Sequence, residues 1–420
     1  MILTFPISPT APLSALADLD ITDARFKADP FPFFARLREE APVFQARAPR
    51  GQRPWLITRH DDVLAVLKDD RRFVKNMKSA MSPEQLKKAP KVPALFSALG
   101  RNLLSLDGAD HDRLKVLVHK AFTPRMVEGM QLATQDVTDA ALDRAGRVGH
   151  MDLIADFALQ VPLSIIGRIL GVPEQEHPKF NRGMKAFIAI GSAPNPLLIP
   201  PILSFMNYLR GLIRSRRRQP RDDLISALVG AQEHTSQLGS DQLTDDEILA
   251  MVFLLLSAGH ETTVNLIGSG TLALLQHPEQ LERLRGDPAL IKSAVEELVR
   301  FVVPAETASQ RYTTEDVTLS GVTIPRGELV LAVIASANRD PQVFEHPDTL
   351  DLSRSPNRHL SFGQGMHFCL GAPLSRMEAQ IAIGTLLRRA PGLRLSVPAE
   401  RLRWRSSFIV RGLESLPVTL

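Results

Sequence analysis

Apolar residues recur along this chain at two spacings. Helical spacing marks Asp29 to Val43 after a proline-rich entry and Asp61 to Asp70. It returns from Ala372 onward, where Leu374, Met377, Ile381 and Leu386 share one face. Strand-like runs cover Pro54 to Arg59 and Val317 to Ile324, the second read as two paired strands turning at Ser320-Gly321, with Pro325-Arg326-Gly327 a further turn. The longest apolar run opens at Thr244-Asp245-Asp246-Glu247, a capping-box pattern, and continues to about Gln276. At about 1.5 Å per residue such a helix is roughly 50 Å long, enough to cross a domain. His260 and Glu261 interrupt it at its middle, where an unpaired charge would be costly in lipid, so it reads as a buried central helix rather than a membrane span. A further periodic helix follows His277-Pro278 and ends at Arg300.

Between these elements the pattern weakens. Lys75 to Gly100 is lysine-rich and carries Pro83, Pro90 and Pro93, so it reads as an irregular loop with short helical pieces, suited to a lid or substrate contact. Residues 151 to 228 read as helical pieces broken by GVPEQEHP and SAPNPLLIPP; Phe187, Ile188, Leu197, Leu198 and Ile199 around the second break are candidates for core or for substrate contact. Leu402 to Gly412 reads as a terminal hairpin with its tip at Ser406 to Ile409. The reading is mainly α with a smaller β-rich subdomain: an extension over 1–28, then one domain over 29–420, with no repeat or long linker.

Composition adds limits. With 44% hydrophobic residues in 420, the chain has material for a substantial core. The start, MILTFPISPTAPLSALADL, lacks a basic segment and is interrupted by Pro6, Pro9 and Pro12, so neither a signal peptide nor an anchor is expected, and a cytoplasmic location is the default. Net charge is +4, but the bases are scattered and aromatics are only 5%, which argues against nucleic-acid binding. An acidic protein partner is a better use of a basic patch.

The chemistry concentrates around Cys369, the only cysteine. A lone cysteine is ordinarily a small buried hydrophobe. Here Gly363, Gly365 and Gly371 bracket it at a helix start, where glycine lets backbone approach a flat ligand and the positive helix end favours a thiolate. Such a sulfur suits one open metal centre.

Phe362, Gly365, Cys369 and Gly371 stand as F-x-x-G-x-x-x-C-x-G, which resembles the haem-binding signature of the cytochromes P-450, the haem-thiolate monooxygenases. Ala258-Gly259-His260-Glu261-Thr262-Thr263 is similar to that family's A-G-x-[DE]-T-T element, and Glu297 with Arg300 to its E-x-x-R pair. The resemblance runs from about Asp29 to the C-terminus. It implies the family's triangular helical prism, with haem b between the long central helix and the cysteine-loop helix. Cys369 is then expected as the proximal iron ligand, with Phe362 and Gly363 beside it. His111, Arg311 and His367 would meet the haem propionates, joined by Lys115 where the family commonly has arginine. Ala258 and Gly259 would leave room for oxygen, Thr262 would hydrogen-bond oxygen species at the iron, and Glu261 would relay protons. Glu297 and Arg300 would lock their helix to a meander through Arg354 or Arg358.

The implied reaction inserts one oxygen atom from O2 into an apolar small molecule. No flavin or nicotinamide domain fits before Leu420, so electrons are expected from a separate ferredoxin and an NAD(P)H-dependent ferredoxin reductase, docking near Arg113, Lys120 and Arg376. The alternatives are a haem-thiolate peroxygenase or coupling catalyst, and a non-catalytic haem protein that binds a ligand.

Overall fold

The computed structural model describes residues 13–16, 19–48, 51–88, 98–192, 196–235 and 243–420. Helices dominate. The ones that place the site are α1 (Phe31–Glu40), α2 (His60–Lys68), α3 (Gly108–Ala121), α4 (Gln131–Val148), α5 (Asp245–Gln276), α6 (Ile291–Val302) and α7 (Ala372–Arg389). The first ends earlier than its apolar spacing predicts, because residues 43 to 45 are taken into a sheet.

That sheet has five strands in the order β1 (Val43–Gln45), β2 (Trp55–Ile57), β8 (Leu329–Ala332), β5 (Arg311–Thr313) and β3 (Phe73–Val74). Only β2 and β8 run parallel, with Trp55 opposite Val330. A second sheet joins β4 (His150–Asp152), β10 (Pro417–Thr419) and β9 (Arg394–Leu395). The hairpin β6 (Val317–Leu319) and β7 (Val322–Ile324) turns as expected at Ser320 and Gly321, whose φ values of 44° and 79° are the two left-handed positions such a turn needs. The terminal hairpin is held by a bridge between Trp404 and Leu413 and by hydrogen bonds from Arg405 N to Gly412 O and from Glu414 N to Arg403 O.

Helix α5 begins in a true capping box: Thr244 Oγ accepts the Glu247 amide at 3.1 Å, and the Glu247 carboxylate accepts the Thr244 amide at 2.8 Å. By length and composition this helix could cross a bilayer, but it runs through the protein core, packed on α6 and α7, with Leu249, Met251, Leu266 and Leu274 fully covered. Residues ahead of Asp29 share the sheet's core: Leu16, Leu19, Ile21 and Phe26 lie in one apolar cluster with Leu56 and Val330.

The E-x-x-R pair lies on α6. Glu297 and Arg300, both fully buried, form two parallel bonds of 2.7 Å. Arg300 also donates to the carbonyls of Asn338, Pro347 and Thr349. Arg354, not Arg358, completes the network, its Nε lying 3.1 Å and 3.2 Å from the two Glu297 oxygens. Asn357 and the Asp351 amide supply two more donors. Arg300→Met therefore removes the two-bond partner of the buried Glu297 carboxylate and takes a donor from three carbonyls, and the expected loss is about 3–5 kcal/mol of stability. A denaturant midpoint within experimental error of the parent would refute that cost.

Candidate active site

A cavity of about 300 Å³ lies between the middle of α5 and the loop that precedes α7. Its wall is mostly apolar, with Leu103, Met251, Leu254, Leu255, Val299, Ile334 and Ile409 among the contributors. Cys369 opens onto it. The loop keeps its shape through the Cys369 amide, which donates to Phe362 O at 2.9 Å, and through two left-handed glycines, Gly363 at φ 70° and Gly365 at φ 74°. A Cβ on Gly365 would sit 2.8 Å from Leu67 O and 3.1 Å from Lys68 Cα, so side-chain loss there lets the loop rest against the end of α2.

The thiol departs from the expectation of a stabilised thiolate. Burial among protein atoms pushes its pKa up, and the opposing amides of Gly371 and Ala372 with the charge of Arg376 do not cancel that effect. The helix end is favourable, but without a bound cation desolvation outweighs it.

Across the cavity, Ala258, Gly259, Thr262 and Thr263 line the wall. A Cβ on Gly259 would meet nothing within 4 Å, so the missing side chain leaves ligand space. Thr262 Oγ donates to Ala258 O at 2.8 Å, and Thr263 Oγ lies 3.1 Å from Ser375 Oγ on α7. The helix is not broken by these bonds, since each hydroxyl shares a carbonyl with the backbone ladder. Glu261 is off the wall, with Oε1 4.0 Å from Arg405 Nη1 and its side chain partly in solvent.

The other end of the cavity is cationic. His111, Arg311 and His367 reach it together, and the two imidazole rings meet edge to face at 4.6 Å. Arg311 donates to Phe73 O and Leu67 O, while its Nε and His367 Nε2 are buried with no hydrogen-bond partner. Burial first, then repulsion from Lys75, Arg311 and His111, pushes His367 down to about 2. Burial lowers Arg311 to about 10 and holds Lys75 well below an ordinary lysine. Asp107 receives the amides of Lys75 and Asn76 and is the nearby countercharge. Buried polar atoms without partners beside the Arg311 guanidinium, with both imidazoles pushed toward the neutral form, at one end of an apolar cavity fit a ligand with pendant carboxylates, as haem has. Lys115 lines the same cavity, but its Nζ donates to Met366 O at 3.0 Å, so it holds the cysteine loop.

Some residues escaped sequence reading. Lys75 lay unnoticed in an irregular loop, and only folding brings it beside Arg311. Glu378 is buried on the wall, and desolvation raises its carboxyl to about 8. The candidates around the second break are absent from the cavity wall among the described residues, which favours the core reading for Phe187. Phe187 instead packs on Phe253 at 4.9 Å, Leu197 is 80% exposed, and the side chain of Ile188 lies outside the described residues. Pro304, Ala305 and Thr307, which follow α6, and Ile409 at the tip of the terminal hairpin do line it. Of the expected docking bases, Arg113 binds Glu247 at 2.6 Å and Arg376 binds Glu296, while the side chain of Lys120 lies outside the described residues.

Comparison with known proteins shows the family of the chain. Residues 204–390 match the family model described as Cytochrome P-450. The chain is 42% identical over 398 residues to the polyketide biosynthesis cytochrome P-450 PksS of Bacillus subtilis, covering 94% of this chain and 96% of that protein. It is 41% identical over 404 residues to the cytochrome P-450 monooxygenase PikC of Streptomyces venezuelae, covering 96% and 93%. The solved structure of PksS superposes with a TM-score of 0.87 at 39% identity, covering 96% of this chain and 99% of that one.

If the cationic end binds the carboxylates, Arg311→Ala removes one charge-assisted contact worth about 1.5–3 kcal/mol. The expected result is at least about tenfold weaker haem retention, measured by transfer to an excess of apomyoglobin. Retention equal to the parent would show that the arginine serves another ligand.

Proposed function

Because the chain belongs to the cytochrome P-450 family and is a haem-iron monooxygenase of it, we propose that it inserts one oxygen atom from O2 into an apolar small molecule, by hydroxylation or epoxidation. The observation that carries this reading is the placement of Cys369 and Thr262 on one apolar cavity. When bound, haem b ligated by the Cys369 thiolate supplies dioxygen activation, with thiolate donation favouring cleavage of the O–O bond.

The protein's own part is binding, exclusion of water and proton handling. Arg311 and His367 take the carboxylates, and the apolar wall holds the substrate while keeping bulk water out. Thr262 Oγ, which at rest donates to Ala258 O, turns to hold a proton at the oxygen site. Glu261, partly in solvent beside Arg405, exchanges protons with bulk water. Glu378, raised to about 8, is the acid on the wall itself and is mostly protonated at neutral pH.

The named relatives act in polyketide biosynthesis or as monooxygenases, and polyketides are the first substrates to screen. Electrons come from a separate ferredoxin and its NAD(P)H-dependent reductase, in the cytoplasm. The half-exposed Phe368, next to the ligand cysteine, offers that ferredoxin an apolar contact.

Dithionite-reduced protein should give a carbon monoxide difference band near about 450 nm. A stable band near about 420 nm would remove Cys369 as the ligand. With a substrate found by spin-state shift, Thr262→Ala should form product about 10²-fold more slowly while electron uptake continues and peroxide is released. Undiminished product formation would take Thr262 out of proton delivery.

A further inference from the structure

Glu297 is consumed by the buried network, but its neighbour on α6, Glu296, reaches a different helix. Its two oxygens accept Arg376 Nε at 2.6 Å and Nη2 at 2.8 Å, a bidentate clamp between α6 and α7. One of them also lies 3.1 Å from His359 Nε2. His359 Nδ1 accepts the Ser361 amide, so the ring proton is on Nε2 and His359 donates to Glu296 as a neutral imidazole. The clamp holds the Arg376 guanidinium 4.2 Å from the centre of the Phe362 ring, a cation–π distance. Phe362 in turn accepts the Cys369 amide through its carbonyl.

The same arginine stands on the second turn of α7, seven residues past Cys369, and over the ring of the residue whose carbonyl holds the Cys369 amide. A cation next to a ligand sulfur favours the more negative state of the centre, and a carboxylate bound to that cation cancels most of its effect at a distance. Water reaches this site only in part, with both side chains 30% exposed, so screening does not erase the interaction.

Resting on Cys369 as the ligand, we propose that Glu296 is a positioning residue that sets the electron affinity of the thiolate-ligated haem, by holding Arg376 over Phe362 and balancing its charge. One electron from an external reductant enters the centre and adds one negative charge. Uncompensated Arg376 makes that step more favourable, and uncompensated Glu296 makes it less so.

The test is the midpoint potential of haem-loaded protein, titrated with dithionite against redox dyes. Glu296→Gln should shift the midpoint upward, Arg376→Gln downward, and the double variant E296Q/R376Q back toward the parent. In haem-free protein, hydrogen exchange at the amides of Phe362 to Cys369 should quicken in Glu296→Gln, because the guanidinium is no longer held. A purely structural pair would lower stability in all three variants with no ordered signs in the potential. Single variants that shift the same way, or no shift in either, overturn the inference. If Glu296→Gln does not fold, Arg376→Gln decides alone, and an upward or zero shift overturns it. The carbon monoxide spectrum separates the two readings. A parent without the band near about 450 nm overturns the ligand assignment and this inference with it; a parent that keeps the band while the signs fail overturns this inference only.

Discussion

Arg300 and Glu297 carry opposite charges with no access to water, and the rest of the site inherits its position from the way that desolvation is offset. A buried pair gains little by itself and becomes costly once either partner is left alone. Here the guanidinium spends its remaining donors on three carbonyls of the segment 338–349, and the carboxylate accepts from Arg354, Asn357 and the Asp351 amide. These groups come from one helix and from an irregular segment with little secondary structure. Satisfying them all fixes that segment against α6.

The fixing continues into the loop. Asn338 Oδ1 accepts the Leu360 amide at 2.8 Å, and Ser361 Oγ donates to Val299 O at 2.9 Å. Leu360 and Ser361 lead directly into the glycine turns that present Cys369. The sulfur is thus placed by a chain of satisfied polar groups, with apolar packing only closing the gaps. Electrostatics then divides the cavity. Its wall over most of the volume is apolar, whereas one end gathers Arg311, His111 and His367, with Lys75 beside Arg311 and the carboxylates of Asp107, Asp112, Asp69 and Asp70 acting on these bases. Arg311 and Lys75 held together out of water carry a desolvation cost, and both imidazoles are pushed toward the neutral form, so an anion joining that end would offset the cost.

Much of this was legible in the chain because it depends on neighbours in sequence. The capping box at Thr244 and the turn at Ser320-Gly321 are local hydrogen-bond and backbone requirements, and both occur where the residues predict them. The glycines around Cys369 are read the same way. Less could be read where two assignments used the same residue type. Arg354 and Arg358 are equally placed in sequence, and only the fold of the meander turns Arg354 to Glu297. Lys115 keeps its place beside the cavity, yet its short ammonium finds Met366 O. Between core and substrate contact the sequence left Phe187 open for a related reason: helical apolar spacing shows that it is covered, but not by which neighbour, and Phe253 covers it.

By itself the sequence determined which residues stand together on which elements: one thiol among glycines, a long apolar helix interrupted by an acid and two threonines, and an acid and base spaced for one helix face. Periodicity, capping and turn geometry act over a few residues, so they survive in the linear order. Tertiary structure decided the partners and the charge states. It chose Arg354 for Glu297, gave Arg376 to Glu296, brought Lys75 beside Arg311, and raised the Cys369 thiol where a helix end alone would lower it. Desolvation depends on everything packed around a group, and no short stretch of sequence contains that information.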